Sequence, residues 1–207
     1  MDMTNDFDAK ASSWDSDPAK LERARVVAEA IAAEVPDIGR RTVLDYGAGT
    51  GLLGFGLLPR APRVTFADTS QGMLAVVREK IAQGKFGNAD AVLLDLTSDP
   101  LPGPRFDLVC TLLTLHHVPD VDALFAAFHG ILAPGGVLAI SDLDTEDGSF
   151  HGPGFTGHRG FSRDDIGKRL GQAGFGPVRF STPLEIEKAA GGGTRRFPIF
   201  LAVTSPA

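Results

Sequence analysis

Along most of this chain, apolar residues spaced by three or four positions alternate with short unbroken apolar runs. The first pattern predicts helices with one buried stripe, and the second predicts strands covered on both faces. Asp17-Pro18 supplies a helix start, with Asp17 as the cap and Pro18 at the first helical position. Leu21, Ala24, Ala28, Ile31 and Val35 fall on one stripe, and Pro36 ends it. Residues 42–46 predict a strand, 47–51 a glycine loop, and 52–58 a helix opening directly from that loop. A second strand follows over 63–68. Met73, Leu74, Val77 and Ile81 then mark a helix capped by Thr69 or Ser70. Strands are expected over 91–94, 106–113 and 137–142. Between the last two, Val121, Leu124, Phe125, Phe128 and Leu132 outline a helix face. Residues 97–105 and 143–160 read as loops. Ser162 and Asp165 resemble a capping box for a helix carrying Ile166 and Leu170, which Gly174 stops.

After that helix the period changes to two. Val178, Phe180, Thr182, Leu184 and Ile186 alternate, as do Phe197, Ile199, Leu201 and Val203, with Gly191-Gly192-Gly193 between the runs. This predicts a β-hairpin closing a sheet. Strands alternating with helices over the rest imply an α/β architecture: a mostly parallel seven-stranded sheet, an antiparallel last strand and helices on both faces. One domain over 1–207 is expected, with 1–36 as an N-terminal segment and helix, 41–142 as the core, and 143–207 as loop, last helix and hairpin.

Composition narrows the function classes. The chain has 207 residues, 43% hydrophobic, and a formal net charge of −6. An acidic chain with no clustered Lys and Arg disfavours nucleic acid as a partner. No apolar run approaches the ~20 residues of a membrane span. The acidic start at Met1-Asp2 lacks the basic and apolar stretches of a signal peptide, and the single cysteine, Cys110, has no internal partner. A cytoplasmic setting is the expectation from both. Monomer and homodimer stay open.

The chemistry is concentrated at strand ends. In an open α/β sheet, ligands bind beyond the C-terminal ends of the strands where the strand order reverses. Gly47, Gly49 and Gly51 would let a ligand approach the backbone there. The string Gly49-Thr50-Gly51-Leu52-Leu53-Gly54 also matches a dinucleotide fingerprint. Its register is wrong, because the tight turn begins at Gly47 and the third glycine of that fingerprint would then be Leu52. Asp45 is also unsuited to a pyrophosphate, which it would repel. S-adenosylmethionine carries an ammonium, a sulfonium and no phosphate, so the same carboxylate attracts it. Asp68, ending the second strand, can accept hydrogen bonds from both ribose hydroxyls. Asp95, ending the third, can accept from the adenine amine, with the Leu96 N–H directed at the ring.

Val43-Leu44-Asp45-Tyr46-Gly47-Ala48-Gly49-Thr50-Gly51 resembles the first motif of the class I S-adenosylmethionine-dependent methyltransferases. Ala67-Asp68-Thr69-Ser70 with Met73 resembles the second, and Leu94-Asp95-Leu96 the third. Phe106-Asp107-Leu108-Val109-Cys110 running into Leu115-His116-His117-Val118 resembles the fourth, and Leu132-Ala133-Pro134-Gly135-Gly136-Val137-Leu138 the fifth. The resemblance is strong over 43–142 and loose elsewhere. It is nearest the small-molecule branch that includes ubiquinone and menaquinone biosynthesis enzymes, where the segment like Phe7–Asp15 folds over the cofactor. It implies a Rossmann-like fold and S-adenosylmethionine as cofactor, leaving S-adenosylhomocysteine as product. It also implies cofactor contacts at Asp45, Gly47, Ala48 and Gly49, at Asp68, Thr69 and Met73, at Asp95 and Leu96, and at Thr111 and Trp14. A lid insertion found in many relatives is missing, and loop 143–160 or a partner would replace it.

His116 and His117 are the catalytic candidates, since imidazole suits proton transfer near neutrality. The alternative is that one packs under the loop and caps the following helix. No metal is expected: His151, His158 and Asp144 match no standard ligand spacing. The expected reaction is in-line methyl transfer to a small-molecule acceptor. The rivals are a non-catalytic S-adenosylmethionine-binding subunit and an NAD(P)-dependent oxidoreductase.

Overall fold

The computed structural model describes residues 3–101, 103, 105–190 and 193–207. Gly191 and Gly192 of the expected hairpin turn, the Met1-Asp2 start and two prolines of loop 97–105 lie outside them. Seven strands form one sheet: β1 (Thr42–Tyr46), β2 (Arg63–Asp68), β3 (Ala89–Leu93), β4 (Phe106–Leu112), β5 (Leu132–Leu143), β6 (Arg179–Ala190) and β7 (Gly193–Thr204). Their order is β3-β2-β1-β4-β5-β7-β6. The first five strands pair in parallel, and β7 runs antiparallel to both β5 and β6. Strand order therefore reverses between β1 and β4, which directs attention to the ends of those two strands.

Helices α1 (Met3–Lys10), α2 (Pro18–Glu34), α3 (Leu52–Leu57), α4 (Gln71–Gly84), α5 (Val121–Ile131) and α6 (Arg163–Gln172) accompany the sheet. Buried stripes of α2 and α3, with Val77 of α4, pack on one face against Val43, Val64 and Leu108. Those of α5 and α6 pack on the other against Leu44, Val109 and Leu138. The alternation of Val43 and Leu44 between these layers is the period of two at work. A smaller cluster of Leu143, Phe150, Ile186, Phe197 and Ile199 joins loop 143–160 to the hairpin.

Local signals explain most boundaries. Asp17 caps α2 by accepting from Ala19 N at 2.9 Å, and Ser70, rather than Thr69, caps α4 by accepting from Met73 N at 3.1 Å. Three expectations are corrected. A further helix, α1, precedes the one starting at Pro18. Leu21 is 44% exposed, so the α2 stripe is narrower than drawn. The Ser162 side chain makes no capping bond, and Asp165 pairs with Arg169 at 2.7 Å instead.

Phe128 is fully buried and meets the Tyr46 ring edge-on at 5.4 Å. Phe128→Ala should cost ~3–5 kcal/mol through lost burial and the cavity left behind. Urea unfolding would show this as a lower midpoint at an unchanged slope; a loss under ~1 kcal/mol would mean that α5 docks elsewhere.

Candidate active site

The period of two in β1 sets the first feature. Asp45 shares a face with Val43, so its carboxylate points into the apolar layer of α2 and α3. It is 1% exposed, and its Oδ2 accepts from Gly54 N at 2.8 Å. A Cβ on Gly54 would lie 2.8 Å from that oxygen and overlap the Phe66 ring, so only glycine lets α3 approach this closely. Burial pushes the Asp45 carboxyl up to about 7; the Gly54 N–H pulls the other way, and the charge of Asp68 adds to the rise.

The turn after β1 is held by its own amides. Ala48 N donates to Ala67 O (3.0 Å), Gly51 N to Ala48 O (2.8 Å) and Gly49 N to Asp68 Oδ2 (2.7 Å). Gly47 has φ +66°, and a Cβ there would overlap the Thr114 side chain, whose hydroxyl donates to Gly47 O at 3.2 Å. Asp68 Oδ1 takes Ser70 N at 2.8 Å. Burial raises the Asp68 carboxyl despite these N–H donors. Two bonds occupy about half of the roughly four acceptor positions of a carboxylate. Asp95 lies two residues beyond β3, its Oδ1 accepting from Thr97 N (2.9 Å) and Thr97 Oγ1 (2.6 Å). Burial raises its carboxyl, but the Thr97 bonds outweigh this and hold it below the ordinary value.

The N-terminal segment is strapped over this turn by two carboxylates. Asp8 Oδ1 accepts from Ser70 Oγ (2.5 Å) and Gly72 N (2.8 Å). Asp15 accepts from Thr50 Oγ1 (2.5 Å) and pairs with Lys80 (2.6 Å), which also donates to Thr50 O. Phe7 and Trp14 thereby become walls of a cavity of about 990 Å³.

The far end of that cavity is built around His116. Leu113, a non-glycine at φ +53°, turns the chain out of β4, and its N–H is held by Ser141 O at 2.8 Å. The next turn, Leu115–His117, carries both histidines. His116 is 1% exposed, and its Nδ1 lies 2.6 Å from Oδ1 of buried Asp142 at the end of β5. This leaves Nε2 as its open nitrogen. Burial, the neighbouring histidines and Lys10 push the His117 ring down to about 3 against the pull of Asp142, so it is neutral at pH 7. His117 Nδ1 is buried with no hydrogen-bond partner among the described residues. Phe150, His151, Leu184 and Ile186 complete this end.

Residues 43–136 match the methyltransferase domain family. Over that stretch the chain is similar to class I methyltransferase domains. It is similar to an uncharacterized methyltransferase of Mycobacterium bovis, 34% identical over 119 residues, covering 56% of this chain and 58% of that protein. It is also similar to the ubiquinone biosynthesis O-methyltransferase of Pseudomonas paraeruginosa, 32% identical over 105 residues, covering 50% and 45%. The chain thus spans about half the length of the curated relatives it matches. In fold it resembles DhpI solved in complex with SAH, with a TM-score of 0.73 and 24% identity over 99% of this chain and 95% of that one.

The cavity gathers most of the expected residues: Trp14, Asp45, Gly47, Ala48 and Gly49; Asp68, Thr69 and Met73; and Asp95, His116 and His117. Two expectations are corrected. The Leu96 N–H is occupied, donating to Tyr46 Oη at 3.2 Å, and Leu96 is no part of the cavity wall. Thr111 is buried inside β4 on the same side as Val109, and the cavity instead meets the chain at Leu112–Thr114. Asp144 pairs with Arg163, and His158 Nε2 lies 3.0 Å from Val118 O. Asp142, Asp8 and Asp15 were not among the expected site residues. Asp142 had a readable signal, an acidic strand end one strand over from the two histidines.

Asp45 gives a stability test. Its folded pKa of about 7 lies above the unfolded 3.8, so the folded state holds the extra proton between them. Stability from this group is complete below about pH 4 and falls as pH rises through 7. Asp45→Asn keeps an acceptor for Gly54 N without the charge. In the ligand-free protein it should raise the melting temperature at pH 8 and leave it nearly unchanged at pH 4; equal effects at both would rule out a buried, ionising carboxyl.

Proposed function

We propose that this chain transfers a methyl group from S-adenosylmethionine to a small-molecule acceptor. One observation carries the cofactor half. Asp45, Asp68 and Asp95 stand along one wall of the cavity, while the N–H groups of Ala48, Gly49 and Gly51 in the adjoining turn are already bonded within the protein. A wall of carboxylates next to occupied amides suits a cation bearing hydroxyls and repels a pyrophosphate, which argues against the nicotinamide reading. The likeness to DhpI, solved with SAH and also as a DhpI-SAM-HEP complex, supports the same cofactor.

On this reading Asp45 faces the ammonium, Asp68 offers its remaining lone pairs to the ribose hydroxyls, and Asp95 lies at the adenine end. Met73 and Ala48 provide apolar contact, and the Phe7–Trp14 strap excludes water. When bound, S-adenosylmethionine supplies an electrophilic methyl group on its sulfonium. The protein's part is then mainly alignment, which can supply about 7–11 kcal/mol in well-oriented systems. Asp142 orients His116 so that Nε2 can accept a hydrogen bond from the acceptor. His117, neutral and far below its ordinary value, serves as wall rather than proton acceptor.

The volume of about 990 Å³ is near the top of the ordinary range for small-molecule sites, about 300–1,000 Å³, leaving room beyond a cofactor. Phe150, Leu184 and Ile186 favour an acceptor with an apolar body. Similarity to a ubiquinone biosynthesis O-methyltransferase supports an acceptor of small-molecule size.

Calorimetric titration tests the cofactor half. S-adenosylhomocysteine should bind and NAD should not. Asp68→Ala should weaken binding by more than ~1 kcal/mol, at least about fivefold in Kd; unchanged affinity in the folded variant would refute the ribose assignment. Affinity should also rise between pH 6 and pH 8 as Asp45 ionises, from a carboxyl near 7 in the ligand-free protein. Asp45→Asn should flatten that rise, and a profile identical to the parent's would exclude Asp45 as the cation's partner. Turnover with labelled methyl donor and a panel of small hydroxylated aromatics tests the acceptor half.

A further inference from the structure

At the acceptor end, three histidines from two distant segments meet. His116 and His117 come from the turn after β4, and His151 comes from loop 143–160. Ring centroids lie 4.2 Å apart for His116–His117, 4.9 Å for His116–His151 and 5.6 Å for His117–His151. One ring nitrogen from each lies within 4.8 Å of the other two. We propose that these three side chains form a divalent transition-metal site at the acceptor end of the cavity.

The donor set narrows the ion. Three neutral nitrogen ligands and no carboxylate suit Zn²⁺, Co²⁺, Ni²⁺ or Cu²⁺ and disfavour Mg²⁺ and Ca²⁺, which take oxygen ligands. Four-coordinate zinc needs ligand nitrogens about 2.0–2.1 Å from the metal, so the rings close in by a small movement on binding. The surroundings fit a ligand set in two independent ways. Asp142 holds His116 Nδ1 at 2.6 Å and leaves Nε2 for the metal, the carboxylate–histidine arrangement that orients ligating imidazoles. His117 carries a buried Nδ1 with no partner among the described residues, an atom whose cost a metal bond would remove.

The loop bearing His151 is placed for this. Its His158 N donates to His116 O at 2.8 Å, and the His151 ring stacks on Phe155 at 3.9 Å. Three ligands leave an open coordination position, and all three residues line the cavity. The site itself stands apart from the methyl-transfer reading. Its use rests on that reading: an acceptor oxygen held on the metal in place of a water molecule, instead of on His116 Nε2.

The test uses the full chain after chelation, titrated with Co²⁺ and followed by visible absorption, with Zn²⁺ calorimetry in parallel. One equivalent should bind and give the intense bands of a four-coordinate ion. His151→Ala should lose the bands and weaken Zn²⁺ binding at least tenfold. Asp142→Asn should weaken it by about 10–100-fold, as second-sphere changes do. His129→Ala, on α5 and packed against Phe175, should change nothing. No one-to-one binding by folded protein, or binding equal in His151→Ala, overturns the proposal. S-adenosylhomocysteine titrated into the same samples separates the two readings. Cofactor binding without metal binding removes the metal site alone; metal binding without cofactor binding removes the methyl-transfer reading and leaves the site.

Discussion

A carboxylate buried with one hydrogen-bond donor organises this molecule. Asp45 sits where an apolar residue would satisfy the α2–α3 layer, and its recorded partner is the Gly54 N–H. Burying a carboxyl group with so little compensation is costly, and the group answers by holding its proton up to about pH 7. Much nearby is constrained by it. Position 54 must be glycine, and α3 opens directly after the turn so that its Gly54 N–H reaches the carboxylate.

The second organising pair lies across the cavity. His116 and Asp142 are both almost wholly buried, on neighbouring strand ends, at 2.6 Å. Between the two buried acids, Asp45 and Asp142, the cavity acquires a direction: carboxylates along the glycine turn at one end, imidazoles and apolar side chains from the loop and hairpin at the other. That polarity is the physical basis for assigning donor and acceptor ends. The left-handed backbone at Leu113 aims the histidine turn between them. Non-glycine residues in that conformation cost ~1–3 kcal/mol and persist where surrounding structure holds them, here the Ser141 carbonyl.

The core of the fold was legible because its determinants are local. Each strand of the parallel sheet is a short apolar run, and Asp17, Ser70 and Gly174 mark helix ends by capping chemistry. Asp45 and Asp68 were legible for the same reason, as acids that close apolar runs. What escaped depends on contacts between distant residues. The Leu96 N–H was expected to face a ligand, but a Tyr46 hydroxyl fifty positions earlier occupies it. Helix α1 has little apolar pattern and is tied down by Asp8 reaching Ser70 and Gly72. Ser162 stands at the start of α6 without a capping bond, and Asp165 pairs with Arg169 instead. His151 was visible in a glycine-rich loop, yet nothing local indicates that the loop folds back onto His116 and His117.

A crystal structure with S-adenosylhomocysteine tests the account most directly, because it reads the direction of the cavity. The amino group should lie at Asp45, the ribose hydroxyls on Asp68, the adenine towards Asp95 and the sulfur facing the histidine end. A ligand lying with its adenosine among His116, His117 and His151, or bound outside the cavity, would contradict it.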